Sequence, residues 1–151
     1  MRKIFIILLL LTSSLVCLHA QYDLLSAKKN VIKGNYNFWV YTPEEYYYTQ
    51  ETTPLIIFLH GASLCGRDLN RVLRYGSIDA AKMGLMIPAL IVAPQNPGGS
   101  WNPHKLNEIL EWMKRNYVFD ETRVYVLGMS LGGYGTLDFA GTYPEKIAAR
   151  S

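Results

Sequence analysis

Arg123 to Gly135 reads R-V-Y-V-L-G-M-S-L-G-G-Y-G. Val124, Tyr125, Val126 and Leu127 form a short apolar, β-branched run, and Gly128-Met129-Ser130-Leu131-Gly132 follows it directly. The pattern G-x-S-x-G between a strand and a helix holds a serine out at a sharp turn, where a base can reach a hydroxyl that is otherwise a weak nucleophile. Such a turn strains the serine backbone and crowds the residues two before and two after it. Gly128 and Gly132 bring no Cβ into that crowd, and Gly133 is expected to let the next helix pack closely on the sheet. The same letters also suit a glycine-rich turn with Ser130 as the helix N-cap, so the neighbouring segments have to decide between nucleophile and cap.

Upstream, Pro54 to Gly61 reads P-L-I-I-F-L-H-G, and Ala89 to Ala93 reads A-L-I-V-A. Both runs are apolar without alternation, as in strands buried on two faces of a parallel sheet. His60-Gly61-Ala62-Ser63 leaves the first run. Gly61 allows close backbone approach there, Ala62 is a candidate N–H donor to a developing oxyanion, and His60 is expected to brace the loop or wall a pocket rather than act as a base. The second run ends in Pro94, and Gln95-Asn96-Pro97-Gly98-Gly99-Ser100-Trp101 follows as a loop. Trp101 suits either a pocket wall or packing over the helix that comes next. Asn102-Pro103 is a helix start, and Leu106, Ile109, Leu110, Met113 and Tyr117 recur at helical spacing as core. Tyr36, Phe38 and Val40 alternate with polar neighbours and Trp39, which predicts a strand over 33–41. Residues 44–53 are expected to be a polar loop carrying Tyr46, Tyr47 and Tyr48. Short helices are expected over 66–75 and 77–83, a longer one over 131–142, and the start of another strand over 146–149. Strand alternating with helix predicts a parallel α/β sheet with right-handed crossovers, ligands binding at the carboxyl ends of the strands.

The N-terminus carries a different signal. Met1-Arg2-Lys3 is basic, Ile4 to Leu11 is unbroken apolar sequence, and Ala20 is a small residue before Gln21. This is the layout of a secretory signal peptide over 1–20, too short to span a bilayer as a helix, with 21–151 as the remaining domain. Cys17 leaves lipoprotein anchoring as a minor alternative. Of 15 basic residues, Arg2 and Lys3 leave with the signal, so 13 face 12 acidic ones. That near balance is no nucleic-acid signature. Cys65 alone remains of the two cysteines, which excludes an intramolecular disulfide even in an exported protein. Neither a metal-ligand cluster nor a phosphate-binding glycine loop is present, and no cofactor is implied.

The ordered series L-I-I-F-L-H-G-A, L-R-Y-G, L-I-V-A-P-Q-N-P, S-W and V-Y-V-L-G-M-S-L-G-G-Y-G-T resembles the α/β-hydrolase superfamily. Within it the chain looks most like secreted bacterial esterases of the phospholipase/carboxylesterase and feruloyl-esterase-like type, over Phe38 to Ala149. The resemblance implies hydrolysis of small-molecule or polysaccharide-linked esters through an acyl-enzyme. It makes Ser130 the nucleophile, with the N–H groups of Leu131 and Ala62 as the oxyanion hole.

Members of that superfamily place an acid and then a histidine after the nucleophile. Only 21 residues follow Ser130, and none is histidine. Asp138 falls in the helix after the serine, Glu145 just beyond it, and His104 precedes the serine at a helix start. The sequence therefore reads as the N-terminal part of a hydrolase, cut after the elbow helix. As 151 residues alone it is expected to be inactive and poorly soluble, with Val124–Leu127 as an unpaired sheet edge. Two alternatives stand beside the esterase: a serine peptidase of the prolyl-oligopeptidase type, and a non-catalytic binding module on a decayed hydrolase fold.

Overall fold

The computed structural model describes residues 24–150. The signal peptide expected over 1–20, its cleavage after Ala20 and any anchoring through Cys17 lie outside the described residues. Six strands form one sheet in the order β1-β2-β4-β3-β5-β6, with β1 at Leu25–Lys28, β2 at Phe38–Tyr41, β3 at Leu55–Leu59, β4 at Leu90–Pro94, β5 at Val124–Gly128 and β6 at Ala149–Arg150. The strands β4, β3, β5 and β6 are parallel, with Leu55 beside Leu90 on one side and Val124 on the other. On the far side of β4 the sheet becomes antiparallel, through β2 and then β1. The sheet is therefore mixed: two antiparallel strands extend the expected parallel core. The alternation around β2 suits an antiparallel strand with one less buried face, in contrast to the unbroken runs of β3 and β4, but it did not by itself place β2 beside β4.

The unbroken apolar runs are explained by burial on both faces. From β3, Leu55, Ile57 and Leu59 enter one core with Val92, Val124 and Val126, while Phe58 enters a second with Ile91 and Ala93. Helix α1 is a single turn at Tyr46–Thr49, α2 is Ser77–Lys82, α3 is Pro103–Asn116 and α4 is Leu131–Thr142. The first core packs under α3 and α4 through Leu106, Ile109, Leu110, Met113 and Phe139, and the second under α2 and the 3-10 turn Leu69–Arg74 through Ile78, Leu69 and Val72. Helix α3 begins as its sequence predicts, with the Asn102 side chain accepting from the His104 and Lys105 amides and Pro103 at the first helical position.

Several expectations need correction. Residues 44–53 are not a bare loop but α1 followed by a 3-10 turn at Gln50–Thr52. Tyr46 is buried, its hydroxyl accepting from Val118 N–H, whereas Tyr47 and Tyr48 are exposed. The segment after Gly66 forms the 3-10 turn Leu69–Arg74, which Asp68 caps by accepting from Asn70 N–H, and no α-helix. The last strand starts at Ala149 because Pro144–Lys146 winds into a 3-10 turn first. Strand β1 had no recognisable pattern; its Leu-Ser-Ala-Lys sequence lies on the sheet's edge with no fully buried position. Nor is β5 an unpaired edge, since Tyr125 and Val126 pair with Ala149 and Arg150 of β6.

Candidate active site

Three strand ends meet at one rim of the sheet. Leu59 of β3 runs into His60-Gly61, Pro94 of β4 into Gln95-Asn96, and Gly128 of β5 into Met129-Ser130. The Met129 amide donates to the Leu59 carbonyl at 3.1 Å, tying the turn after β5 to the end of β3. Ser130 stands at the apex with φ 54° and ψ −113°, one of two non-glycine residues with positive φ among the described residues. L-residues avoid that region because Cβ crowds the backbone, at a cost of roughly 1–3 kcal/mol. Ser130 is exposed and its side chain makes no capping hydrogen bond to α4. The reading of Ser130 as an N-cap is thereby overturned. The hydroxyl is presented to solvent at the point where strand turns to helix.

The glycines around it are steric necessities. A Cβ on Gly132 would fall on the Leu59 carbonyl, and one on Gly128 on the Gly132 carbonyl. Gly133 behaves differently from expectation, since a Cβ there would meet only the Gly128 oxygen, at 3.7 Å. Close packing of α4 depends instead on Gly132 and on Gly135, where a Cβ would stand 2.7 Å from the Trp101 side chain.

Gly61 lies directly against the serine. A Cβ there would sit 3.1 Å from the Met129 oxygen and 3.4 Å from Ser130 Cβ. Ala62 opens the 3-10 turn Ala62–Leu64, and Leu131 opens α4; first-turn amides have no partner inside their own helix. Among the described residues neither the Ala62 nor the Leu131 N–H meets an acceptor. Leu131 follows Ser130 in the chain and Ala62 follows Gly61, which lies against Ser130, so two amides without acceptors belong to the segments beside the exposed hydroxyl.

His60 and Trp101, considered as pocket walls, are both buried and form a brace under the loop. The Asn96 N–H donates to His60 Nε2 at 3.0 Å, which leaves the proton on Nδ1, donating to the Gly61 carbonyl at 2.8 Å. Trp101 Nε1 donates to the His60 carbonyl at 3.2 Å, and its ring meets His60 and Tyr36 edge to face. Burial, the largest influence, holds the His60 imidazole below its ordinary pKa, against the opposing Gly61 hydrogen bond and with a smaller push from Arg71. Both ring nitrogens are occupied, so His60 is no base for Ser130. His104 is exposed at the start of α3, with Nδ1 2.8 Å from the Tyr143 hydroxyl. Asp138 and Glu145 are exposed, the first on α4 and the second in the turn beyond it.

The rest of the brace left no recognisable pattern in the chain. Arg71 donates to the Ser63 and Leu64 carbonyls. Gln95 donates to Leu64, Gly66 and Asn96 carbonyls from a buried position. The Tyr75 hydroxyl accepts the Gly61 N–H at 2.7 Å. In the sequence Tyr75 marked only a helix stop and Gln95 only the opening of a loop. Among the described residues, no helix is long and apolar enough to cross a membrane.

No protein-family model and no curated protein matches the chain. Solved structures do. A thermostable esterase superposes with a TM-score of 0.69 at 27% identity, covering 85% of this chain and 40% of the other. An acetyl xylan esterase from Aspergillus awamori gives 0.64 at 21% identity, over 83% of this chain and 50% of the other. A feruloyl esterase module from Clostridium thermocellum, complexed with sinapinate, gives 0.60 at 15% identity, over 83% and 52%. The chain thus spans about half the length, or less, of these structures. These superpositions show that the described residues carry an α/β-hydrolase fold of the kind found in esterases.

Proposed function

We propose that the protein is a serine hydrolase that cleaves carboxylic esters through an acyl-enzyme on Ser130. The observation that carries this reading is the Ser130 backbone at φ 54°, which exposes a hydroxyl that caps nothing. In the proposed reaction Oγ attacks the ester carbonyl carbon as a base takes its proton. The carbonyl oxygen becomes an oxyanion held by the Ala62 and Leu131 amides. Collapse breaks the bond to the alcohol oxygen, which leaves with the proton, and water then releases the acid from Ser130 by the same path.

The base and the acid that orients it are inferred to come from outside residues 24–150. His60 is committed to two loops, His104 is held by Tyr143, and neither Asp138 nor Glu145 accepts from a histidine. Without them, the oxyanion hole and binding alone support only about 10³- to 10⁴-fold catalysis over water, as in well-studied serine proteases. An exported protein carrying a signal over 1–20 and acting on acyl groups of plant polysaccharide fits the names of the acetyl xylan and feruloyl esterases. The peptidase alternative gains no support from the similar structures, which are esterases and serine hydrolases.

The test is labelling of the full-length protein with a fluorophosphonate probe, in which Oγ displaces fluoride from phosphorus. Labelling that disappears in Ser130→Ala supports the reading; labelling at another residue, or none, sinks it. The natural reading frame beyond Ser151 separates enzyme from decayed module. An Asp after one strand pattern and a His after another favour the enzyme.

A further inference from the structure

Gly61 is the hinge of the proposed oxyanion loop. It has no side chain to fix its rotation, yet both peptide units around it are held. His60 Nδ1–H grips the Gly61 carbonyl. That carbonyl belongs to the same planar unit as the Ala62 N–H, and in a trans peptide the two point opposite ways. Holding the one therefore aims the other. The preceding unit is held by its N–H, which donates to the Tyr75 hydroxyl at 2.7 Å.

Tyr75 is itself locked. Its ring stands edge to face on Phe58 at 6.3 Å. The next residue, Gly76, turns with φ 85°, and a Cβ there would fall on the same Phe58 ring. The hydroxyl is thus fixed over the loop from below by β3. It and Ser130 Cβ flank one point beside Gly61, 3.1 Å and 3.4 Å from the place a Cβ would occupy.

We propose that Tyr75 is a positioning residue for acyl transfer: by holding the Gly61 N–H it fixes the His60–Gly61 peptide and so, with the His60 grip on the Gly61 carbonyl, sets the direction of the Ala62 amide proposed for the oxyanion. This rests on the ester-hydrolase reading above. It also gives Gly61 N–H a committed partner, so that the loop offers Ala62 N–H to the oxyanion in place of its neighbour. The effect falls on the transition state, where the negative oxygen forms, and little on ground-state binding.

The experiment is Tyr75→Phe in the full-length protein, which keeps the ring on Phe58 and removes only the oxygen. Expected are a fall in kcat of roughly 10- to 100-fold, a KM changed by less than about twofold, and a thermal midpoint lowered by only the few degrees that one lost hydrogen bond accounts for. In parallel, hydrogen exchange of the Gly61 amide should accelerate by at least about tenfold while the amides of β3 stay protected. A KM that rises with kcat intact, or a midpoint that falls in step with activity, reduces Tyr75 to packing and overturns the proposal. So does an unchanged Gly61 exchange rate. If hydrolysis survives Ser130→Ala, the ester-hydrolase reading has failed instead, and the proposal with it; the exchange rates still tell whether Tyr75 holds Gly61.

Discussion

The imidazole of His60 and the backbone of Asn96 join the loops after two neighbouring strands: Asn96 N–H donates to Nε2 at 3.0 Å while Nδ1–H serves Gly61. The bond requires a neutral ring. Protonation would turn Nε2 into a donor facing another donor, inside a site with no exposed surface.

A pH dependence of stability follows. Burial lowers the folded pKa of His60 below 6.5, whereas the unfolded chain titrates near that value. At pH below 6.5 the unfolded state then binds more protons than the folded one, so stability is full above that pH and is lost as pH falls beneath it. Urea midpoints measured from about pH 8 to about pH 5 should decline, and in His60→Gln that share of the slope should vanish. His60→Ala also orphans the Asn96 N–H and opens a cavity, with an expected cost of about 2–4 kcal/mol.

Gly132 and Gly133 are adjacent in sequence and opposite in tolerance. Gly132→Ala drives a methyl into the Leu59 carbonyl, so loss of folding or a cost above about 3 kcal/mol is expected. Gly133→Ala has room and gains helix propensity. It should be neutral or up to about 1 kcal/mol more stable. Denaturant titration of the two variants side by side checks the contrast.

Ser130 stores strain that a different residue would release. Ser130→Gly should raise stability by about 1 kcal/mol, since glycine adopts positive φ freely. Ser130→Ala, keeping Cβ, should leave stability nearly unchanged. Both should abolish probe labelling. A Ser130→Gly protein no more stable than the alanine variant would mean that the turn is unstrained in solution.

Asn102 offers a local test of α3. Its side chain serves two amides at the helix start, and Asn102→Ala should cost about 1 kcal/mol by thermal or denaturant unfolding. The Lys146 ammonium, bound to Asn107 and Glu111 one turn apart in the middle of that helix, should be unaffected.

Legibility in the sequence divided along a physical line. The strand, turn and helix around Ser130 could be read because each rests on neighbours in sequence: an apolar run, two glycines, a helical stripe. Asn102-Pro103 could be read for the same reason. The order of the sheet could not, nor the antiparallel turn toward β1 and β2, because alternation does not by itself say which strand lies beside which. The braces on the Gly61 loop were equally silent. Tyr75 lies 14 residues from Gly61 and Gln95 lies 31 from Leu64, and such pairs show only once the chain has folded. The place of Gly135 against Trp101 was lost in a glycine-rich run where Gly133 looked the more natural choice.

The place of β3 in the sheet bears on how the chain is made. Leu55–Leu59 is flanked by β4 and β5, and its partners begin at Leu90 and Val124. On a ribosome this apolar segment emerges long before either neighbour, and parallel pairings across such separations form slowly. Until residue 128 has cleared the exit tunnel, β3 has an unfilled side. A nascent segment in need of a chaperone is thus one of the two central strands of the described sheet.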